Sequence, residues 1–153
     1  PSGDVATPAL ALQIPDGRFE AITNTAMGVT GDLEASGGEL KFAQGQAYRV
    51  VGAEALKASA AYAATKASFA SLISVPETAD LSVLKVESED KGQARNGGLC
   101  GADRTTYLVT HQGADGGGAP AVFVIAFKGL AAPSQVSPET DLCGTFMYAP
   151  KGG

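Results

Sequence analysis

The chain has one imidazole, His111, which ends a strand predicted over residues 105–111. A histidine acts as a general base only beside a nucleophile and an orienting carboxylate, and the spacing of Tyr107 and Asp103 assigns neither role. The sequence also lacks the glycine-flanked serine, zinc-protease and phosphate-loop motifs. We therefore predict that no ionisable residue here is catalytic. A small hydrolase or transferase with a surface site around His111 is the alternative.

Two cysteines, Cys100 and Cys143, each stand in a Leu-Cys-Gly tripeptide. Together with one histidine they cannot complete a four-ligand zinc site, and no metal or cofactor is expected. We predict a disulfide between them, which would stabilise the fold by about 4 kcal/mol on the loop-entropy model. Because disulfides persist in oxidising compartments, a periplasmic or extracellular location follows. Two reduced thiols in a cytosolic protein are the alternative.

The segment from residue 91 to residue 104 is rich in glycine and carries three cations, Lys91, Arg95 and Arg104. A disulfide at Cys100 would pin this loop, so that Arg95 or Arg104 could bind a carboxylate or phosphate on a partner. The alternative is a solubilising connector in which Arg104 pairs with Asp103. The predicted partner-binding residues are Arg95, Arg104, Tyr107 and His111. The acidic strand end at Glu87, Glu89 and Asp90 lacks the spacing of a calcium loop and is predicted to be solvated.

The charge balance limits the classes of partner. Sixteen acidic residues against eleven basic ones give a net charge of −5 and an isoelectric point near 4.8. Such a chain lacks the positive field that nucleic acid requires. No run of about 18 apolar residues is present, so no membrane span is expected. The expected partner is a protein or another envelope component, and the oligomeric state stays open.

Alternating apolar residues between glycine-rich turns predict an antiparallel meander of about six to eight strands. The predicted strands lie at residues 19–22, 29–35, 39–42, 48–50, 81–87, 105–111, 121–127 and 144–148. The run at 121–127 is apolar on both faces, which indicates a central strand covered by a second layer. It also raises the alternative of a structural protein that joins an envelope assembly by strand addition.

Residues 53–73 contain no glycine or proline and are rich in alanine, lysine, glutamate and serine. Helix formers of this kind, with Tyr62, Phe69 and Leu72 on one face, predict a single Ala-rich helix that buries these three side chains. Lys57 and Lys66 would be exposed. The predicted fold class is therefore α+β: an antiparallel sheet, one Ala-rich helix packed on it and one disulfide.

The domain organisation follows from these elements. Residues 1–17 hold several prolines and glycines and are predicted to form a loose N-terminal arm, and residues 18–153 a single domain. The first residues include no initiator Met and no apolar leader, which fits a mature or shortened chain. The chain is predicted to be an exported, non-enzymatic binding or accessory protein of the bacterial envelope, such as an inhibitor of a partner protein.

One short segment resembles a known family. The sequence Tyr62-Ala63-Ala64-Thr65-Lys66-Ala67 resembles a motif of periplasmic lysozyme inhibitors in which a tyrosine is followed by Thr-Lys-Gly. Ala67 stands where that motif has glycine. That family consists of small secreted β-barrel proteins. The resemblance covers six residues, and no inhibitory residue is assigned from it.

Overall fold

A computed structural model describes residues 16–62, 68–92, 94, 97–114, 118–129, 132–133 and 141–150. The predicted N-terminal arm lies almost entirely outside these residues. None of the helices in the described part of the chain has the length and hydropathy needed to cross a membrane.

Eight antiparallel strands make up most of the described structure, and each pairs with the next along the chain. Their bounds are β1 Gly17–Ala21, β2 Leu33–Ser36, β3 Glu39–Phe42, β4 Ala47–Lys57, β5 Asp80–Asp90, β6 Tyr107–Ala114, β7 Pro120–Phe127 and β8 Leu142–Pro150. The predicted antiparallel meander is confirmed. In addition β1 pairs with β8, Phe19 opposite Pro150, which closes the sheet into a barrel.

Closure removes the free edges that an open sheet presents. The strand β7 pairs along most of its length with β6 on one side and β8 on the other. It is central, as its apolar sequence predicts. The same pairing leaves β7 without an edge for a partner strand, so the hypothesis of assembly by strand addition at residues 121–127 loses its basis.

Side chains alternate between the two faces of the barrel wall, and each face has its own apolar core. Inside the barrel, the rings of Phe42, Tyr48, Phe146 and Tyr148 are buried with aliphatic side chains from the other strands. Outside, β5, β6 and β7 are covered by residues 58–62 and 68–79, which we call the covering segment. The barrel therefore has one filled interior and one covered outer face.

The prediction of a single helix over residues 53–73 is wrong. Residues up to Lys57 belong to β4, and within the described residues only Phe69–Ile73 are helical, as α2. Helix propensities differ by fractions of a kcal/mol per residue, whereas β4 gains ten paired positions along β5. Burial is confirmed for Tyr62 and Phe69, which are 1% and 0% exposed, while Leu72 is only half-buried.

A second difference concerns residues 29–35, predicted as one strand. The short helix α1, Asn24–Val29, occupies the start of that stretch, and β2 begins only at Leu33. The Thr23 hydroxyl caps α1 by accepting a hydrogen bond from the Ala26 amide at 3.2 Å. Gly31, at φ +70°, then turns the chain into β2.

Candidate functional site: the disulfide groove

One end of the barrel is closed by two segments that the meander brings together. The helix α1 follows the end of β1, and the segment between β5 and β6 follows the end of β5 at the same side of the barrel. That segment includes a tight turn at residues 97–101, in which Gly98 and Gly101 exchange backbone hydrogen bonds of 3.0 and 2.9 Å. This is the end of the barrel at which the predicted Gly-rich loop lies.

The disulfide between Cys100 and Cys143 is confirmed, with sulfur atoms 2.01 Å apart and Cα atoms 5.0 Å apart. It connects the 97–101 turn to the first residues of β8. The turn is therefore fixed to the barrel wall by a covalent bond, as the count of cysteines predicts.

A groove of about 420 Å³ opens beside this disulfide, and we call it the disulfide groove. Thr25 and Val29 of α1 line one wall, while the 97–101 turn and the disulfide line the other. Leu99 and Phe146 border the groove but are 4% and 2% exposed, so its apolar surface comes mainly from the half-buried Val29, Leu142 and the disulfide. A volume of this size is in the range of clefts that hold a small ligand or a side chain of a partner.

The rim of the disulfide groove carries an ion pair between Asp103 and Lys128, with Lys128 Nζ 2.9 Å from Asp103 Oδ2. The hydrogen bond from Lys128 and the field of its ammonium hold the pKa of Asp103 below its ordinary value. The same contact raises the pKa of Lys128. The Asp103 side chain is 60% exposed and that of Lys128 39%, so the pair is open to solvent, positions charge at the rim and contributes little to stability.

The two pKa shifts define the pH range over which the pair exists. The lowered pKa of Asp103 gives a stabilisation that is present above the unfolded pKa and is lost as the pH falls through the folded pKa. The raised pKa of Lys128 gives one that is present below the unfolded pKa of lysine and is lost as the pH rises through the folded pKa. The rim pair is therefore intact throughout the neutral range.

We expect Lys128→Met to return the pKa of Asp103 toward its ordinary value, because the main cause of the lowering is removed. An NMR titration of the Asp103 carboxyl carbon measures this. The matched control is Lys57→Met, which breaks the 2.7 Å pair with Asp80 and should raise the pKa of Asp80 alone. An unchanged titration of Asp103 in Lys128→Met would show that the rim pair does not form in solution.

The pairing of Asp103 with Lys128 bears on Arg104. The sequence left open whether Arg104 pairs with Asp103, and the structure gives Asp103 a different partner. Arg104 is exposed, and within the described residues it takes part in no ion pair or side-chain hydrogen bond. The loop thus carries an uncommitted guanidinium next in sequence to the rim of the disulfide groove.

A polar network beneath the groove holds the 97–101 turn in place. The Tyr48 hydroxyl donates to Glu89 Oε2 at 2.5 Å and accepts from the Leu99 amide at 2.8 Å. Thr105 donates its amide and its hydroxyl to the two oxygens of Glu89, at 3.1 and 2.9 Å. The prediction that Glu89 is a solvated strand end is wrong, because this carboxylate is a half-buried acceptor.

Gly98 is where the turn approaches this network most closely. A Cβ at residue 98 would collide with the Glu89 carboxylate and lie 2.6 Å from the Tyr48 hydroxyl. Burial, together with the hydrogen bond to Glu89, raises the pKa of Tyr48 well above its ordinary value. The phenol therefore keeps its proton and can donate to the carboxylate. This arrangement is structural, since it orients the turn through groups already bonded to one another.

Of the other predicted partner-binding residues, neither Tyr107 nor His111 lines the disulfide groove. Arg95 lies outside the described residues. Tyr107 is half-buried on the outer face beside the covering segment. His111 follows on the same face toward the opposite end of β6, is only 9% exposed, and places Nδ1 2.9 Å from the carbonyl oxygen of Asp80. A partner-binding residue would be exposed, but His111 is nearly buried and packs against Phe123 with ring centroids 5.6 Å apart.

Metal-ligating residues are not clustered in the part of the chain that the structure describes: no three His, Cys, Asp or Glu side chains are near enough to share an ion. No protein-family model, no curated protein and no solved structure matches this chain.

Proposed function

We propose that this chain is an exported, non-enzymatic binding or accessory protein, and that it docks a partner protein at the disulfide groove. The observation that carries the proposal is the state of Arg104, an exposed cation whose nearest acid in sequence, Asp103, is already bonded to Lys128. A free guanidinium is suited to bind a carboxylate with two parallel hydrogen bonds.

The chemistry of the groove indicates the class of partner segment. The half-buried side chains of Val29 and Leu142, together with the disulfide, offer apolar surface, and Arg104 directly follows the rim residue Asp103 in the sequence. An apolar side chain flanked by an aspartate or glutamate is complementary to both features.

Two further observations support the non-enzymatic role and the location. The Nδ1 atom of His111 is within hydrogen-bonding distance of a backbone carbonyl, and the ring lies under 10% exposed. These surroundings do not favour proton transfer to a substrate. The disulfide supports an oxidising compartment, periplasmic or extracellular, and fractionation of the native cells tests it.

Photo-crosslinking tests the docking proposal. A benzophenone amino acid at position 102, an exposed residue beside the rim residue Asp103 that leaves Arg104 in place, should give one dominant adduct in the native cells. The same amino acid at position 18, an exposed position of β1 that does not line the disulfide groove, supplies the matched background. Identical adducts from both positions would contradict a site at the groove.

Once the partner is identified, Arg104→Ala should weaken its binding roughly tenfold, the usual loss for a charge-assisted hydrogen bond. Calorimetric titration measures the affinity, and the thermal midpoint should stay unchanged because Arg104 is exposed. Arg18→Ala is the matched control. Turnover of a substrate that disappears in a folded His111→Ala variant would overturn the binding role.

A further inference from the structure

The two walls of the disulfide groove are held in very different ways. The 97–101 turn is fixed by the disulfide, by the Leu99 amide on Tyr48 and by the Cys100 amide on the Thr105 hydroxyl. The opposite wall, α1, has no covalent link and buries only Ala26 among its six residues. Apart from Ala26 and the half-buried Val29, which packs against the interior core, little apolar area of α1 is exposed if the helix moves away from the turn.

Polar contacts from one hairpin turn hold α1 instead. Gln46, between β3 and β4, donates from Nε2 to the carbonyl oxygens of Val29 and Gly97, both at 2.8 Å. One carboxamide thus bridges the last residue of α1 and the first residue of the 97–101 turn. Gln44 also donates to α1, at 3.3 Å to the carbonyl of Met27 and 3.1 Å to that of Gly28, but these two bonds are exposed to solvent.

The carboxamide of Gln46 is not fully satisfied in this closed arrangement. The residue is 1% exposed, and its Oε1 atom has no hydrogen-bond partner among the described residues. A buried acceptor without a partner is unfavourable, and moving α1 away from the 97–101 turn would let water reach it. The two bonds that Gln46 donates thus hold α1 against the turn, while its unpaired oxygen disfavours the same closed arrangement.

The ends of α1 are anchored, which limits the movement to the helix itself. After its last residue, the Thr30 hydroxyl lies 2.8 Å from the hydroxyl of Tyr148, and both residues are buried. Before it, the Ile22 amide donates to the carbonyl of Met147 at 3.0 Å. We infer that α1 is the movable wall of the disulfide groove, latched to the fixed 97–101 turn by the Gln46 carboxamide.

Native-state hydrogen exchange on the disulfide-bonded chain tests this inference without any partner. The reporters for α1 are the Thr30 and Gly31 amides, which both donate to Ala26 O, and the Leu99 amide reports on the turn. In the wild type, the α1 reporters should exchange faster than the amides of β6 and β7. Their exchange rates should depend little on urea concentration, because local opening exposes little surface.

The variant Gln46→Met removes both latch bonds and the unpaired oxygen while keeping the side-chain length. It should accelerate exchange at Thr30 and Gly31 roughly tenfold, which corresponds to about 1.4 kcal/mol, and leave Leu99 nearly unchanged. The matched control is Gln44→Met, which also removes two bonds to α1. The acceleration in Gln44→Met should be smaller, because water can bond to the carbonyls of Met27 and Gly28 in place of Gln44.

Three results would overturn the latch. The first is an unchanged exchange rate at Thr30 and Gly31 in Gln46→Met, and the second is an equal acceleration of these amides in Gln44→Met. The third is an exchange rate in Gln46→Met that rises as much at Leu99 and in β7 as it does in α1. If Gln46→Met does not fold, the wild type decides, since full urea dependence at Thr30 and Gly31 would show that α1 opens only by global unfolding. These readouts need no ligand, so their failure would leave the proposed docking role standing.

Discussion

Replacing Phe69 with alanine is expected to lower the free energy of unfolding by about 3 to 5 kcal/mol, the usual cost of removing a fully buried ring. Phe69 is 0% exposed, and its ring centroid lies 5.5 Å from that of Tyr62 and 6.3 Å from that of Phe127. The ring therefore joins the covering segment to the outer face of β7. Its loss leaves a cavity between these layers.

Urea denaturation followed by circular dichroism measures the change. Leu72→Ala is the matched control, because Leu72 lies on the same helix and is only half-buried, so its truncation should cost less. A loss below about 1 kcal/mol in Phe69→Ala would contradict the burial of the ring, since truncating a buried phenylalanine costs about 3 to 5 kcal/mol.

Removing the disulfide is the second large change. The double variant Cys100→Ser, Cys143→Ser should lose about 4 kcal/mol of stability on the loop-entropy model, since the bond closes a loop with a sequence separation of 43. The loop contains β6 and β7, so the bond restricts the unfolded chain over the central part of the barrel. The readout is the urea midpoint of the double variant against the oxidised wild type.

The wild type in the presence of a dithiol reductant is the control for this variant, because it breaks the same bond without changing a residue. The two should have similar midpoints. A double variant as stable as the oxidised wild type would mean that the polar contacts of the 97–101 turn alone hold the loop to the barrel.

The parts of the fold that sequence predicts well are those with a clear period. Leu40 and Phe42 alternate with charged residues, and both are buried in β3. The apolar run of β7 requires cover on both faces, and the structure supplies it. Pairing of Cys100 with Cys143 follows from their being the only two cysteines. Each of these inferences depends on local composition or on simple counting.

The alanine-rich stretch shows where such reasoning stops. Alanine suits a helix, but it also fits a strand whose neighbour supplies the larger side chains, and only the register with β5 decides between them. The pairing of β1 with β8 has no local signal in the sequence either, because the two strands lie far apart along the chain.

The candidate site was predictable only in part. The loop and its disulfide were identified, but the roles of Gln46 and Glu89 were missed because both stand where strands meet turns. The sequence does contain a signal for Gln46. Residues 46, 48 and 50 fall on the same face of the alternating pattern, so Gln46 points inward with Tyr48 and Val50, and a buried polar side chain needs hydrogen-bond partners.

The closure of the barrel also affects how the chain folds. Because Phe19 pairs with Pro150, the seam between β1 and β8 joins residues that synthesis separates by almost the whole described chain. Contacts of such high contact order form slowly, so we expect this seam to form late, after the local hairpins. Until then β1 and β8 are unpaired edges on which a second nascent chain could add a strand, and the time before closure is when the protein is most prone to aggregate.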